Sequence, residues 1–132
     1  MPVEFDINSK EVVIEAKKAI KRALSRESKL LLPERVKQLA EAYGYSYSEV
    51  KSKPMKSRWG SCSTDQTIAL NCYLLMMPWS IIDYVIAHEL SHTKLMNHSG
   101  RFWKEVSRST PDYKRIKKQL NEMQPDIHAL YL

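Results

Sequence analysis

The chain has 132 residues, of which 43% are hydrophobic and 27% charged, the proportions of one soluble globular domain with its own core and no room for a second. Its longest apolar run, residues 70–77, is too short for a membrane span, and residues 1–10 lack the apolar core of a signal peptide, so we expect a cytoplasmic protein without a membrane partner. The formal net charge of +6 leaves contact with an anionic partner open.

Two helices are predicted at the start of the chain, within residues 11–44. Residues 11–26 repeat apolar side chains at helical spacing and place basic residues on the opposite side, which is typical of a surface helix. Pro33 suits the first position of a second helix, and Gly44 suits its end.

A short sheet is predicted within residues 45–75, where turn residues and alternating segments replace the helical spacing. Residues 50–57 and 68–71 alternate as strands do, and residues 63–66 join them, which predicts two or three short antiparallel strands. Cys62 and Cys72 lie in this part of the chain without C-x-x-C spacing. We expect both to be free thiols in a reducing compartment.

The helix predicted after Pro78 is expected to be the buried central helix of the domain. Ser80 and Asp83 are spaced as a capping box at its start, and apolar side chains cover nearly all of its circumference. This helix and the C-terminal helices after it would occupy residues 78–124.

The central helix carries the motif H-E-x-x-H at residues 88–92. Side chains four residues apart lie on one helical face, so His88 and His92 are spaced to bind a single Zn²⁺. Glu89 falls beside them, where it can accept a proton from a metal-bound water. The motif therefore predicts a catalytic metal site; the alternative is an ordinary helix with two hydrogen-bonded histidines.

A catalytic zinc site usually has three protein ligands, and His98 follows His92 by six residues. Glu105 and Asp112 are the alternative third ligands downstream. We prefer His98 because it is nearer in sequence and adds no charge beside Glu89.

The spacing H-E-x-x-H-x5-H equals that of the metzincin peptidases in length, with Leu95 where that pattern has glycine. The turn towards the metal is therefore expected at residues 96–97, since asparagine tolerates left-handed backbone geometry. Beyond this turn, Ser99 can cap one helix, and residues 110–111 can open another.

Several separated motifs, taken in order, resemble those of the YgjP-like metallohydrolases. They are K-S-R-W-G-S-C-S at 56–63, I-A-L-N at 68–71, the H-E-x-x-H helix at 82–92, N-H-S at 97–99 with F-W at 102–103, and P-D-Y at 111–113. The resemblance spans residues 33–120 and implies an α+β, zincin-like fold, with helices packed on a small antiparallel sheet beside the buried H-E-x-x-H helix. It implies relatives among the SprT-like and WLM-type proteases. Carried over by position, it makes His88, His92 and His98 zinc ligands and Glu89 the catalytic residue.

The chain departs from that family pattern at two places. Relatives usually have a longer β-rich segment before the helices, whereas this sequence begins almost directly with the helix at 11–26, which weakens the transfer of a substrate class. Asp65 and Gln66 occupy a turn where relatives commonly have glycine.

Metal-assisted hydrolysis is the chemistry that these residues can perform. Zinc lowers the pKa of a bound water to about 7, and Glu89 can take the proton and return it to the leaving group. A further group should stabilise the developing oxyanion, for which Arg58, Tyr73 and Tyr113 are candidates. Arg58 and Tyr113 are also our predicted substrate-binding residues, and Gly60 near Arg58 permits a close backbone turn.

Three functions remain open from the sequence. The leading hypothesis is a zinc-dependent metallopeptidase acting on a peptide; a second is a metal-dependent pyrophosphatase of nucleoside triphosphates such as UTP, an activity also assigned within the YgjP-like group. The third is a non-catalytic, nucleic-acid-binding relative, against which the intact Glu89 argues. A DNA-associated protease, with weak nucleic-acid binding through a basic surface, is a variant of the first hypothesis. The cations of that surface are Lys17, Lys18, Lys21, Arg22, Arg26, Lys51, Lys53, Lys56, Arg58, Lys114, Arg115, Lys117 and Lys118.

Overall fold

The computed structural model describes residues 9–127, with side chains described up to Met123. Its elements follow in the order α1 (Lys10–Tyr43), β1 (Glu49–Lys53), β2 (Gly60–Cys62), β3 (Thr67–Asn71), a 3-10 helix (Cys72–Met76), α2 (Trp79–Ser91), α3 (Gly100–Ser109) and α4 (Tyr113–Ile127). The predicted α+β class is confirmed, with helices around one small sheet.

The N-terminal part is one helix of 34 residues, and the prediction of two helices was wrong. Pro33 lies inside α1, where it cannot donate to the preceding turn. Leu32 and Val36 flank it, lie one turn apart on the same face, and are completely buried. Their burial holds the helix together across the proline. The fully buried residues of α1 all belong to its second half, beginning at Ser28.

The sheet has the strand order β1-β3-β2, and its two pairs run in different senses. The antiparallel pairing predicted for this region is present between β2 and β3. It is wrong for β1, which pairs with β3 in parallel. After β1 the chain crosses to the opposite side of β3, forms β2 there, and then turns back into β3. The central strand β3 is almost entirely buried.

Helices α1 and α2 pack on the same face of this sheet. Ser52 of β1 is paired with Leu70 of β3, which is paired in turn with Gly60 of β2. Directly paired residues point to the same side. Ser52 hydrogen-bonds to Ser28 of α1, and Gly60 faces Glu89 of α2. Both helices therefore contact the same row of paired residues on one face of the sheet.

Asp83 joins α2 to α1 rather than capping its own helix. The predicted capping box is absent: α2 begins at Trp79 after Pro78, with no side-chain hydrogen bond at its cap. Both carboxylate oxygens of Asp83 instead accept from the guanidinium of Arg35, at 2.8 and 2.7 Å. The pairing is bidentate and fixes the two helices relative to each other.

The remaining local predictions concern α3 and the cysteines. Ser99 caps α3 as predicted, because its hydroxyl accepts from the N–H of Phe102 at 3.4 Å. Cys62 and Cys72 are both free, also as predicted. Within residues 9–127, no helix is long and apolar enough to cross a membrane.

Candidate metal centre

Three histidines converge at the C-terminal end of α2. His88 lies in its last turn, His92 follows directly after it, and His98 comes from the loop before α3. Their candidate ligand nitrogens all lie within 4.8 Å of one another, and the Nε2 atoms of His88 and His98 are 3.3 Å apart. Three imidazole nitrogens this close together can share one metal ion.

The loop that returns His98 is organised by Leu95. The N–H of Leu95 donates to the carbonyl of Ser91 at 3.0 Å, and its own carbonyl lies 3.0 Å from Nδ1 of His92. Among the described residues, only Gly44 and Gln66 have a positive φ, so the left-handed turn expected at Asn97 is absent. A leucine is therefore accepted at this point because the backbone turns without left-handed geometry.

Two of the three imidazoles are held in the form that binds metals. The contact with the Leu95 carbonyl requires a proton on Nδ1 of His92, which leaves Nε2 free to accept an ion. Burial, and then the neighbouring His92 and His98, lower the pKa of His88 to about 3. Burial also lowers the pKa of His92. Neutral imidazoles are the ligands of zinc, so the residues fit this metal.

Glu89 lies beside the cluster and is only 5% exposed. Burial raises the pKa of its carboxyl to about 8, although Arg58 acts in the opposite direction. The carboxylate packs against the backbone of β2 at Gly60, where a larger residue would fit only tightly: a Cβ there would lie 3.1 Å from Oε2 of Glu89 and 3.2 Å from the carbonyl of Ala69. The sequence marked Gly60 only as a turn residue.

The histidines and Glu89 line a pocket of about 350 Å³. Its other lining residues are Arg58, Gly60, Ser61, Cys62 and Met96. Arg58 is the one cation other than histidine among the lining residues that the structure describes. The pocket therefore places a permanent positive charge near a candidate metal ion and a carboxylate.

The backbone of Arg58 is fixed by Asn71, which the sequence did not single out as a site residue. The side chain of Asn71 is completely buried, and its Nδ2 donates to the carbonyls of Met55 and Arg58, both at 2.9 Å. A buried asparagine at the end of an apolar strand was the available signal, because a polar side chain in such a place must find partners.

Within residues 9–127, β2 is an edge strand of the sheet with no strand paired on its outer side, and it lies beside the pocket. The N–H of Ser63 donates to the carbonyl of Thr67 on the returning chain at 3.0 Å. Since alternate residues of an antiparallel pair bond to the neighbour, the backbone groups of Gly60 and Cys62 point to the free edge. This edge can accept an extended chain as an added strand.

The other sequence candidates lie outside this pocket within residues 9–127. Glu105 accepts from the hydroxyl of Tyr45 and pairs with Arg108 and Lys94, so its carboxylate is occupied elsewhere. Asp112 pairs with Arg115. The side chains of Tyr73 and Tyr113 are likewise absent from the pocket lining; Tyr73 is 1% exposed, and Tyr113 stacks on Trp103.

Comparison with known proteins connects this geometry to peptidases. The family described as YgjP-like, metallopeptidase domain, matches residues 6–123. The metallopeptidase zymogen of Pyrococcus abyssi abylysin is 26% identical with a TM-score of 0.61, covering 68% of this chain and 91% of that one. The metallopeptidase zymogen of Methanocaldococcus jannaschii jannalysin is 26% identical with a TM-score of 0.60, covering 69% of this chain and 94% of that one. No curated protein is similar enough to count as a relative.

Proposed function

This chain belongs to the YgjP-like metallopeptidase domain family, and on that premise we propose that it is a zinc-dependent peptidase in which His88, His92 and His98 hold the metal and Glu89 is the general base. The family makes the chain a hydrolase of the metallopeptidase type. The observation that carries the finer proposal is the convergence of the three imidazoles within 4.8 Å, with the Glu89 carboxylate lining the same pocket.

Each residue has a separate task in this proposal. Zinc, when bound, would polarise the scissile carbonyl and acidify a water molecule. Glu89 would accept a proton from the attacking water at its carboxylate and deliver it to the leaving amine; burial raises the pKa of this carboxyl, which favours its holding the proton between the two transfers. The packing of Glu89 against Gly60 keeps the carboxylate at the pocket wall.

We further propose that the substrate is an extended peptide aligned along β2. The outward backbone groups of Gly60 and Cys62 would form the main-chain hydrogen bonds, and the neighbouring pocket would receive the scissile bond. Arg58, which precedes this strand and lines the pocket, would contact a carboxylate of the substrate. The free thiols of Cys62 and Cys72 suit a reducing compartment, so we place this activity in the cytoplasm.

The test compares the zinc-loaded protein with Glu89→Gln on two substrates, an unfolded protein and UTP. We expect peptide hydrolysis to fall by about 10²- to 10⁴-fold in the variant, while its zinc content remains that of the parent. Glu122→Gln is the matched control, since Glu122 is an exposed residue of α4 that does not line the pocket. Hydrolysis of UTP alone, lost in Glu89→Gln, would replace the peptidase with the nucleoside triphosphate pyrophosphatase.

A groove on α1 favours a second property, weak association with nucleic acid. The groove has a volume of about 470 Å³. Its lining includes Pro54 and four cations, namely Lys21, Arg22, Arg26 and Lys29. Because cations on one face attract a phosphate backbone, we propose that DNA docks in this groove and that the chain is a DNA-associated protease. Retention of the protein on DNA should fall with salt and fall further in Arg22→Ala/Arg26→Ala, whereas Lys114→Ala/Lys118→Ala on α4 should behave as the parent does. Equal retention of both double variants would exclude this groove.

A further inference from the structure

We propose that Trp103 is a positioning residue that holds His98 at the metal centre, and that Tyr113 and Lys117 hold Trp103 in turn. The inference rests on the proposed function, because it takes His98 as the third ligand. In this proposal Tyr113, which the sequence predicted to bind substrate, instead supports the metal site through Trp103.

His98 needs support that the other two ligands do not. His88 and His92 are attached to the end of α2, where the helix fixes their backbone and their four-residue spacing. His98 lies on the loop between α2 and α3, and its side chain is exposed. A ligand on an exposed loop loses conformational freedom when it binds an ion, and this loss weakens binding unless neighbours have already ordered the ring.

Two aromatic side chains of α3 order the His98 ring. The His98 and Trp103 rings are stacked, with centroids 5.8 Å apart and planes 23° apart. Trp103 also meets His88 edge to face at 5.6 Å and 67°, but of these two histidines His98 alone stacks on its ring face. Phe102 meets His98 edge to face at 5.0 Å and 81°, and Phe102 itself is completely buried. The buried phenylalanine anchors α3 to the core, and the adjacent tryptophan presents a flat surface to the imidazole.

Trp103 is itself supported by α4. Tyr113 stacks on it with centroids 5.1 Å apart and planes 12° apart, and the ammonium of Lys117 lies 4.3 Å from the centre of its ring. Tyr113 and Lys117 are four residues apart and therefore lie on one face of α4. Stacking and a cation over an indole are both favourable contacts, so one face of α4 restricts the Trp103 side chain.

The consequence is a continuous series of contacts from α4 through Trp103 to His98. In many metal sites a ligating histidine is oriented by a hydrogen bond from its second ring nitrogen. Here the His98 ring would be oriented instead by contact with aromatic rings. Such a support raises metal affinity by keeping the third ligand in its binding geometry before the ion arrives. The series makes metal affinity, and not only folding, depend on Trp103.

The first experiment measures zinc affinity by competition with a chromogenic chelator. We expect Trp103→Ala to weaken zinc binding by about 10- to 100-fold, and Trp103→Phe, which keeps a flat ring, to restore most of the loss. Trp79→Ala is the matched control: Trp79 is 50% exposed and lines a different groove with Leu31 and Arg35, so its loss should leave zinc affinity unchanged. Circular dichroism of the metal-free variants reports folding separately.

The second experiment combines Trp103→Ala with His98→Ala. If Trp103 acts through His98, the double variant binds zinc as weakly as His98→Ala alone, within about twofold. Losses that multiply would overturn the inference, because Trp103 would then affect the metal by another route. Weakened binding in His98→Ala with parental binding in Trp103→Ala would overturn it while leaving the proposed function intact. Parental binding in His98→Ala would overturn both. Where Trp103→Ala fails to fold, Tyr113→Ala, alone and combined with His98→Ala, carries the same comparison.

Discussion

Gly60 and Glu89 lie so close together that a Cβ built on Gly60 would come within 3.1 Å of both Cγ and Oε2 of Glu89. The same Cβ would lie 3.2 Å from the carbonyl oxygen of Ala69, which belongs to the backbone of β3 and cannot move aside easily. The Glu89 carboxyl is therefore positioned by the absence of a side chain on the neighbouring strand.

Gly60→Ala should displace the Glu89 carboxylate and separate β2 from β3. We expect peptide hydrolysis to fall by about 10-fold or more and the free energy of unfolding to drop by about 1–3 kcal/mol, as overpacking does in a filled core. Initial rates and urea titrations measure the two effects. Gly100→Ala is the control, since nothing lies within 4 Å of its added Cβ. Parental activity in Gly60→Ala would show that the Glu89 position tolerates a shift of this size.

Arg58→Ala should reveal a preference for acidic substrates. Because its guanidinium is the pocket's permanent cation, we expect KM to rise for peptides with glutamate near the scissile bond and to change little for the matched glutamine peptides. Steady-state kinetics on paired peptides, with Arg58→Lys as the conservative variant, provide the measurement. A fall in kcat that is equal for both peptides would instead assign Arg58 to the oxyanion or to Glu89, whose pKa Arg58 lowers.

The stability of the protein should decrease in acid through Glu105. Although burial acts to raise it, the hydroxyl of Tyr45 and the guanidinium of Arg108 lower the pKa of Glu105 below its ordinary value of 4.5. A carboxyl with a lowered pKa in the folded state stabilises that state above pH 4.5, and the contribution disappears as the pH falls through the lowered pKa.

Glu105→Gln should therefore unfold with a smaller dependence on pH below 4.5 than the parent. Denaturant titrations at several pH values measure this difference. Glu122→Gln changes an exposed glutamate of α4 and should retain the dependence of the parent. If the free energy of unfolding depends on pH equally in Glu105→Gln and the parent, other carboxylates control the acid transition.

Gln66→Gly should stabilise the turn between β2 and β3. Gln66 has a φ of 66°, a left-handed conformation that costs a residue with a Cβ about 1–2 kcal/mol relative to glycine. The substitution also removes the hydrogen bond from Nε2 of Gln66 to the carbonyl of Thr93 at 3.3 Å. Gln66→Ala loses the same bond and keeps the Cβ, so the Gly variant should be the more stable of the two by about 1 kcal/mol in thermal unfolding. Equal stabilities would contradict strain at this position.

The sequence predicted best what depends on short-range spacing. The interval between His88 and His92 placed both rings on one helical turn, and the apolar circumference of α2 predicted its burial, since both follow from helix geometry alone. The three-histidine cluster required one further step, a loop short enough to return His98 to the helix end.

Features decided by distant packing could not be predicted from local patterns. Pro33 has the local signature of a helix start, but buried neighbours on both sides carry the helix through it. Asp83 has the spacing of a cap, but an arginine 48 residues earlier in the chain binds it. The parallel pairing of β1 depends on where residues 54–59 cross, which no alternation of apolar residues records.

The uneven burial of α1 divides one helix into two regions with different resistance to opening. From Ser28 onwards, unwinding the helix would expose core side chains, so its amide hydrogens should exchange with solvent only when the domain unfolds. Before Ser28, the helix depends mainly on its own backbone hydrogen bonds and on the cap at Ser9. Hydrogen exchange should therefore proceed inward from Ser9 and slow sharply near Ser28, within a helix that is continuous in structure.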